Sequence, residues 1–263
     1  MAGVLPRARC ANVRKWDVDQ ELDVRAAPVV DADFVHFEGL RELYMAECKD
    51  VTDAAFAHLR GIQTLDMSWC SHRITDAAFA HLAGIQRLGV EGCRGISDAA
   101  FVHLRGIHTL DMTLCFQPAV TDAAFAHLAG IQRLSIAGCD QATITDAAFE
   151  HLRGIQLLNM GACGQFTDAA FVHLRGIHTL YMVVCTLITD AAFAHLRGIH
   201  TLVMEGCSQA TITVAAFSSL QGVSVLGMNG CSAAAIAAAQ SLGLPVRTEA
   251  GVQHNLTYEL SCD

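Results

Sequence analysis

The amino-acid sequence predicts an α/β solenoid, a chain in which a short strand and a short helix recur about nine times. The first observation is a repeat, because nine of the eleven cysteines follow one another at steps of 22 to 24 residues. The other two are a block with strand spacing before each of these cysteines and a block with helix spacing after it. A period this short is that of one solenoid coil. The nine cysteines are Cys48, Cys70, Cys93, Cys115, Cys139, Cys163, Cys185, Cys207 and Cys231.

The block before each cysteine has the pattern of a strand. It reads approximately I-x-x-L-x-M-x-x-C, as in residues 62–70. Leu65 and Met67 alternate with Asp66, so a strand buries the two apolar side chains on one face and presents the aspartate on the other. The exposed strand positions are therefore predicted to form one face of a sheet.

The block after each cysteine has the pattern of a helix with both ends marked. Phe79 and Leu82 lie three residues apart, which places them in one apolar stripe. Thr75 can cap the first turn, and the charge of Asp76 is stabilised there by the helix dipole. Gly84 can end the helix in the left-handed conformation. Equivalent cap residues are Thr52, Thr75, Ser97, Thr121, Thr145, Thr167, Thr189 and Thr213.

Composition excludes several classes of protein. The net charge is -9 and Lys15 and Lys49 are the only lysines, so no basic run can follow a nucleic-acid backbone. No apolar stretch reaches the roughly 18 residues of a membrane span. The first residues lack the apolar core of a secretory signal, and the cysteine count is odd. We therefore expect an intracellular protein, cytoplasmic or nuclear, that binds neither nucleic acid nor a membrane.

The strand block followed by I-T-D-A-A-F-x-H-L resembles the leucine-rich repeat, in the cysteine-containing subclass found in F-box and leucine-rich-repeat substrate receptors of ubiquitin ligases. The resemblance covers about residues 29–231. It implies a horseshoe with a parallel β-sheet on the concave face and short helices on the convex face. It also implies substrate recognition, with ubiquitin-ligase subunits among the partners. The units lack the second cysteine-bearing turn of the subclass.

Three regions are predicted. Residues 1–28 form an N-terminal segment, either a cap or a remnant of an F-box, since about thirty residues are too few for a complete one. Residues 29–231 form the repeat solenoid. Residues 232–263 form a C-terminal cap and tail, in which an alanine-rich closing helix precedes a short extended segment.

The repeated cysteines and histidines are interpreted as structural. No two of the nine repeated cysteines lie close enough in sequence for a zinc motif, so each thiol is expected to fill the core and bond a carbonyl of a neighbouring loop. The histidines that follow the core phenylalanine by two residues, such as His81, are expected on the flank. Two alternatives remain: these histidines form a ladder that loses stability when the imidazoles are protonated, or they bind metal adventitiously. Glycine-rich phosphate loops, G-x-S-x-G and H-E-x-x-H are absent from the sequence, so we expect no enzyme, cofactor or metal.

Only the exposed strand positions and their edge change from coil to coil. A scaffold position can be copied, whereas a recognition surface must differ from unit to unit. We therefore predict a protein partner on the concave face. Free drift of unconstrained positions, in an array with no selected partner, remains the alternative. The candidate binding residues are Tyr44, Asp66, Trp69, Arg87, Glu91, Asp111, Arg133, Asn159, Tyr181, Val203 and Glu205.

Overall fold

Short strands pair in chain order into one parallel sheet. The structure, a computed structural model, describes residues 20–249, and within them eleven strands follow one another from β1 to β11. Each coil is numbered here by the strand that opens it. The strands are β1 (Glu21–Asp23), β2 (Glu42–Tyr44), β3 (Thr64–Asp66), β4 (Arg87–Gly89), β5 (Thr109–Asp111), β6 (Arg133–Ser135), β7 (Leu157–Asn159), β8 (Thr179–Tyr181), β9 (Thr201–Val203), β10 (Val225–Gly227) and β11 (Val246–Arg247).

The strands pair in register, so that like residues form rows across the sheet. Leu65 pairs with Leu88, and Leu88 pairs with Leu110. All three leucines have 0% exposure and lie in the core between sheet and helices. Each row of apolar residues thus runs along the solenoid, and burial of these rows is the main stabilising contribution.

The helices are one or two turns long and form the convex side. Phe79 and Leu82 are each 1% exposed, which confirms the predicted apolar stripe. Gly84 has φ +88°, the left-handed conformation expected where the chain leaves the helix. Within residues 20–249 the helical segments are Asp31–Phe37, Asp53–His58 and Asp146–Leu152, which are 3₁₀, and Asp76–Phe79, Asp98–Phe101, Asp122–Phe125, Asp168–Phe171, Asp190–Phe193, Val214–Ser218 and Ala233–Ser241, which are α.

The threonine and serine caps do more than the sequence predicted. Each hydroxyl accepts a hydrogen bond from the amide two residues on, at 3.2–3.4 Å, which confirms the caps. The same hydroxyl also donates to an aspartate of the preceding coil, as Thr121 does to Asp98 at 2.7 Å. The Thr121 amide donates to the other Asp98 oxygen at 2.8 Å. The aspartate that opens one helix therefore fixes the cap of the next.

These bidentate contacts form an unbroken Asp–Thr ladder along the convex edge. Amide-to-carboxylate distances are 2.7–2.9 Å and hydroxyl-to-carboxylate distances are 2.5–2.7 Å. Val214 ends the ladder because it supplies no carboxylate to the following coil. The pairs are Asp31 with Thr52, Asp53 with Thr75, Asp76 with Ser97, Asp98 with Thr121, Asp122 with Thr145, Asp146 with Thr167, Asp168 with Thr189 and Asp190 with Thr213.

The cysteines form a second ladder inside the sheet edge. The thiol of Cys139 donates to the Met112 carbonyl at 3.1 Å, and each of the nine makes the equivalent bond to the preceding coil at 3.0–3.4 Å. Seven of the nine are buried, and Cys70 and Cys231 are partly buried. The structural interpretation of this column is confirmed.

The sheet is longer than the repeat pattern. Glu21–Asp23 pairs with β2 and Val246–Arg247 pairs with β10, so strands lie on both sides of the range 29–231. Coil 1 carries Ala27 in the place of the repeated cysteine, which is why the cysteine spacing did not reveal it. The alanine-rich closing helix is confirmed as Ala233–Ser241, followed by the extended Val246–Arg247. Residues 1–19, with most of the proposed F-box remnant, and residues 250–263 lie outside the described residues.

We expect Thr121→Ala to lower the free energy of unfolding by about 1–3 kcal/mol, because it removes a cap and leaves one Asp98 oxygen without its donor. Thr121→Ser should be nearly neutral, since Ser97 fills the same place in coil 4. Thr179→Ala is the matched control, because the Thr179 hydroxyl contacts only the neighbouring His178 ring. Urea titration measures all three, and equal losses in Thr121→Ala and Thr179→Ala would contradict the ladder.

Candidate interaction surface

The eleven predicted binding residues lie on the concave face or along its edge. Leu65 and Met67 point into the core with 0% exposure, so Asp66 and Ser68 lie on the concave side. Five of the eleven are nevertheless buried on that face, at 7% exposure or less, and present almost no surface to a partner. Those five are Tyr44, Asp66, Asp111, Tyr181 and Val203.

Side chains two coils apart approach one another across this face, which explains the burial. Arg25 of coil 1 lies close enough to Asp66 of coil 3 for the two charges to interact. The Arg25 guanidinium also lies 5.9 Å from the centre of the Tyr44 ring. In the later coils, burial raises the pKa of Tyr181 while Arg133, two coils earlier, acts to lower it. The concave face is therefore narrow and partly filled by its own side chains.

Asp66, Asp111 and Asn159 have a local role that the sequence analysis did not assign. Each accepts a hydrogen bond from the amide two residues on, at 2.9–3.1 Å. The Asp111 carboxylate also accepts from the Thr113 hydroxyl at 2.6 Å. These are the short side-chain turns that aspartate and asparagine make readily. The sequence signal for these turns is an aspartate or asparagine at the last position of the strand.

Six of the predicted residues are accessible. Trp69 is the most exposed of these side chains at 39%. The others are half-buried; Asn159 lies in the same row of the sheet as the buried Asp111, and the remaining four lie at the margins. These five are Arg87, Glu91, Arg133, Asn159 and Glu205. Their contact with a partner stays a prediction.

Three carboxylates interact electrostatically on the part of the face beside Trp69. Desolvation, followed by repulsion from Asp111 and then Asp66, raises the pKa of Glu91 to about 7, and a hydrogen bond with the Trp69 side chain opposes the shift. Asp66, Glu91 and Asp111 belong to the successive coils 3, 4 and 5. Acidic side chains of three successive coils therefore lie on the face beside its most exposed aromatic ring.

An apolar rim, defined here as Trp69, Leu114, Phe116, Val184 and Leu187, follows the loops between strand and helix. Leu114 is half-buried and the other four are 39–52% exposed. Of these five residues the sequence pattern predicted only Trp69, because Phe116, Val184 and Leu187 fall in or beside the segment whose length and residues vary. Arg94 lies over the Phe116 ring at 5.2 Å and continues this surface.

Three rim residues adopt the left-handed conformation, which bulky side chains rarely occupy. Trp69 and Leu114 have φ +57° and Val184 has φ +58°. In each case glycine stands at the equivalent place in the next coil and leaves room for the bulky side chain. A Cβ on Gly92 would lie 2.5 Å from the Trp69 ring, and one on Gly138 would lie 2.7 Å from Leu114. The bulky residue of one coil therefore packs against the glycine of the next.

The histidines lie where the sequence predicted. Those after the core phenylalanine are half-buried on the flank, apart from the exposed His36. His127 and His195 accept long hydrogen bonds from Arg105 and Arg175 at 3.4 and 3.3 Å. Within residues 20–249 no three His, Cys, Asp or Glu side chains are grouped so that they could hold a metal ion. In that same part of the chain no helix is long and apolar enough to span a bilayer.

Comparison with known proteins adds evidence for the fold. No protein-family model matches the chain, and no curated protein matches it. An internalin from Listeria monocytogenes is similar in structure, with a TM-score of 0.61, 17% identity, and coverage of 81% of this chain and 67% of the other. Internalin C2 from the same bacterium gives a TM-score of 0.57, 21% identity, and coverage of 77% and 85%.

A Toll–Spätzle complex from Drosophila is similar over 89% of this chain and 40% of the other, with a TM-score of 0.55 and 13% identity. At these identities the likenesses show the fold alone. Together with the open parallel sheet and the short helices, they show that the chain is a leucine-rich-repeat solenoid of horseshoe form.

We expect the ladder cysteines to resist alkylation while the protein is folded. Burial raises the pKa of the eight thiols from Cys70 to Cys231, to about 11 even for the half-buried Cys231, so very little reactive thiolate forms at about pH 8. Iodoacetamide labelling read by peptide mass spectrometry should leave Cys139 unmodified in buffer and modify it in guanidinium chloride. Equal labelling rates under the two conditions would contradict the ladder.

Glu91→Gln should stabilise the protein increasingly as pH rises. The folded-state pKa of Glu91 is raised from 4.5 to about 7, so the wild type loses stability as pH rises through that window. A glutamine side chain has no such dependence and can still accept the Trp69 hydrogen bond. The difference between the thermal midpoints of the variant and the wild type should grow from about pH 5 to about pH 8. Both proteins have the same histidines, so the titration of the histidines does not contribute to this difference. A constant difference would show that Glu91 is not perturbed.

Proposed function

We propose that this solenoid is a non-enzymatic module that binds a protein partner through the accessible side of its concave face and the adjoining rim. The observation that carries the proposal is Trp69. Trp69 is 39% exposed and its backbone is held in the left-handed conformation. Its ring covers Gly92 beside the Glu91 carboxylate. A large exposed aromatic side chain with a polar group close by is typical of residues that dominate protein interfaces.

The backbone at the rim supports this proposal. A tryptophan or valine at positive φ costs free energy, on the order of 1–3 kcal/mol, and such costs concentrate at functional sites. Gly92 and Gly206 stand at the same place in other coils, so the repeat does not require a bulky residue there. Glu47 and Ala162 adopt the same conformation at this place, so the fold sets the backbone and accepts residues of different size there. The bulk of Trp69 and Val184 is therefore not needed by the repeat, which supports a role in binding.

The shape of the surface favours a protein over a small metabolite. The groove beside Trp69 has a volume of about 400 Å³ and is open, with Lys49, His72 and Arg94 among its lining residues. A drug-sized ligand is usually enclosed on most of its surface. An open groove that is lined by an exposed aromatic ring and by basic side chains instead suits a folded protein or an extended peptide.

A narrower proposal rests on the resemblance of the repeat to ubiquitin-ligase substrate receptors. In it the same surface holds a substrate, and ligase subunits bind elsewhere on the chain or through another protein. The intracellular location belongs to this proposal, and it is supported by nine thiols that act as hydrogen-bond donors and so must stay reduced. Recovery of ligase subunits in a pulldown with the full chain would support it; recovery of unrelated proteins alone would leave only the general module.

We expect benzoylphenylalanine at position 116 to crosslink a protein in an extract of the source cells, because it replaces an exposed rim aromatic with another aromatic. The same photoreactive residue at Val102, which is 43% exposed on the convex side, is the matched control. Trp69→Ala introduced into the position-116 protein should abolish the crosslink. Mass spectrometry of the adduct identifies the crosslinked protein.

A crosslink at position 116 that depends on Trp69 supports the concave face and rim as the binding surface. Equal products at positions 116 and 102, or products that survive Trp69→Ala, would contradict it. No crosslink at either position would favour the alternative of an array without a selected partner.

A further inference from the structure

The end of the strands opposite the rim carries a row of arginines. Each lies directly before the glycine that ends a helical segment, so it precedes a strand, whereas the rim follows the strands. Coils 3 and 5 have alanine at this position. Within residues 20–249, only coils 6, 7 and 8 therefore place cations next to one another there. The three residues are Arg153, Arg175 and Arg197, and all of them are exposed.

Adjacent coils are hydrogen-bonded to each other just after these arginines. The amide of His178 donates to the Gln156 carbonyl at 3.1 Å, and the amide of His200 donates to the His178 carbonyl at 3.0 Å. The His178 and His200 rings stack, with their centroids 4.6 Å apart. Because these residues follow the arginines by only three positions, like charges of neighbouring coils lie side by side on this surface. An anion between them would relieve the repulsion.

An open groove of about 440 Å³ lies between coils 6 and 7 at this place. Val172 on its wall is 43% exposed, and both of its arginines are exposed, so the groove is accessible from solvent. The helical block of coil 6 also contains Glu150, whose carboxylate lies 3.3 Å from Nε2 of the adjacent His151. We call this site the arginine groove, and its lining residues are Arg153, Gly154, Val172, His173 and Arg175.

Equivalent arginines in two coils are tied to a histidine of the following coil. Arg105 donates to His127 at 3.4 Å, and Arg175 of the groove donates through Nε to His195 at 3.3 Å. A guanidinium has several N–H groups, so this bond orients Arg175 and leaves its other donors available. Arg175 is therefore already positioned for a ligand in the groove.

Arg153 lacks such a tie. Nδ1 of His173, which the bond would use, is buried and has no hydrogen-bond partner among the described residues. The helical segment of coil 6, Asp146–Leu152, is 3₁₀, whereas those of coils 4 and 7 are α-helical. A 3₁₀ helix rises about 2.0 Å per residue and an α-helix about 1.5 Å, so the residue that follows the segment is displaced. The Arg153 guanidinium can therefore turn towards a ligand.

From this geometry we propose that the arginine groove binds the phosphate group of a phosphorylated side chain on a protein. The guanidinium groups of Arg153 and Arg175 approach from different coils, and each can donate two parallel hydrogen bonds to phosphate oxygens. A phosphorylated side chain carries about two negative charges and three acceptor oxygens, which suits a pair of arginines better than a single carboxylate does. The site lies at the opposite end of the strands from the rim and does not depend on the proposed function.

The surroundings favour a protein as the carrier of the phosphate. A small phosphorylated metabolite is usually enclosed on most of its surface, whereas this groove is open. Anionic bilayers attract clusters of about four to eight basic residues, and here three arginines stand in a chain of net charge -9. The exposed Val172 side chain offers an apolar contact to a residue beside the phosphorylated one.

An NMR titration of the full chain with short peptides tests the proposal. The peptides have a glycine and serine host with one leucine, and beside the leucine they carry phosphoserine, serine or glutamate. We expect the phosphoserine peptide to shift the amide signals of Gly154 and Arg175, the serine peptide to have no effect, and the glutamate peptide to bind about tenfold more weakly. Excess inorganic phosphate should displace the phosphoserine peptide.

Three variants separate a built site from diffuse attraction. Arg153→Gln and Arg175→Gln should each weaken the phosphoserine peptide by about tenfold or more, because each removes one of the two guanidinium groups. Arg60→Gln is the matched control, since it removes the same charge at the same position of coil 2, where Ala83 of the next coil supplies no second arginine. Arg60→Gln should leave the affinity unchanged.

The arginine groove is wrong if the phosphoserine peptide does not bind, if the serine peptide binds equally well, or if Arg60→Gln weakens binding as much as Arg153→Gln. Equal affinity for inorganic phosphate and for the phosphoserine peptide would also overturn a protein ligand. Vesicles of phosphatidylcholine with phosphatidic acid form the last arm: cosedimentation that Arg153→Gln abolishes, without peptide binding, would assign the groove to a lipid headgroup instead.

The proposed function is tested separately from the arginine groove. Arg153→Gln should leave the Trp69-dependent crosslink at position 116 unchanged, because the rim lies at the other end of the strands. Failure of the peptides to bind therefore leaves the proposed function standing, and loss of the crosslink in the Trp69→Ala protein leaves the groove intact.

Discussion

The spacing of the coils depends on one contact, in which an aspartate carboxylate of one coil receives both the amide and the hydroxyl of the cap residue in the next. The cap hydroxyl meanwhile accepts from its own helix, as Thr121 does from Ala123. One hydroxyl thus holds a helix terminus and a neighbouring coil together. Because each coil touches mainly its neighbours, this local geometry repeats along the solenoid and sets where every strand lies. It also explains why the helical blocks are nearly identical copies.

A scaffold fixed in this way leaves few positions free to vary. The thiol ladder holds the loop after each strand, and glycine or a strained residue must precede the cysteine, as Gly92 and Trp69 do. On the sheet, the row that contains Asp66 and Asp111 is buried and partly occupied by turn contacts. What remains accessible is the margin of the concave face and the rim. Recognition by this chain is therefore expected at an edge, where Trp69 and Glu91 lie, more than at the middle of the sheet.

The sequence predicted the elements of the fold because its signals are local. Period, caps and core residues such as Phe79 depend on neighbours within one coil, and each was correct. The second role of Asp98 was missed because it depends on the distance to Thr121 in the next coil. The burial of Asp111 and Val203 was missed because strand alternation gives the face of a side chain but not the curvature of the sheet. Val184 escaped notice because its strain and its glycine partner appear only in three dimensions.

The central claim is that the copied residues build the fold and the uncopied residues at its edge select the partner. A chimaera tests this most directly: coils 3 to 5 keep their caps, aspartates, cysteines and core residues but take the concave and rim residues of coils 7 to 9. The measurement is its crosslinking to the partner of the native chain, with benzoylphenylalanine kept at position 116 in both proteins. The account predicts that the chimaera unfolds at nearly the same temperature as the native chain and no longer crosslinks. Undiminished crosslinking, or failure of the chimaera to fold, would contradict it.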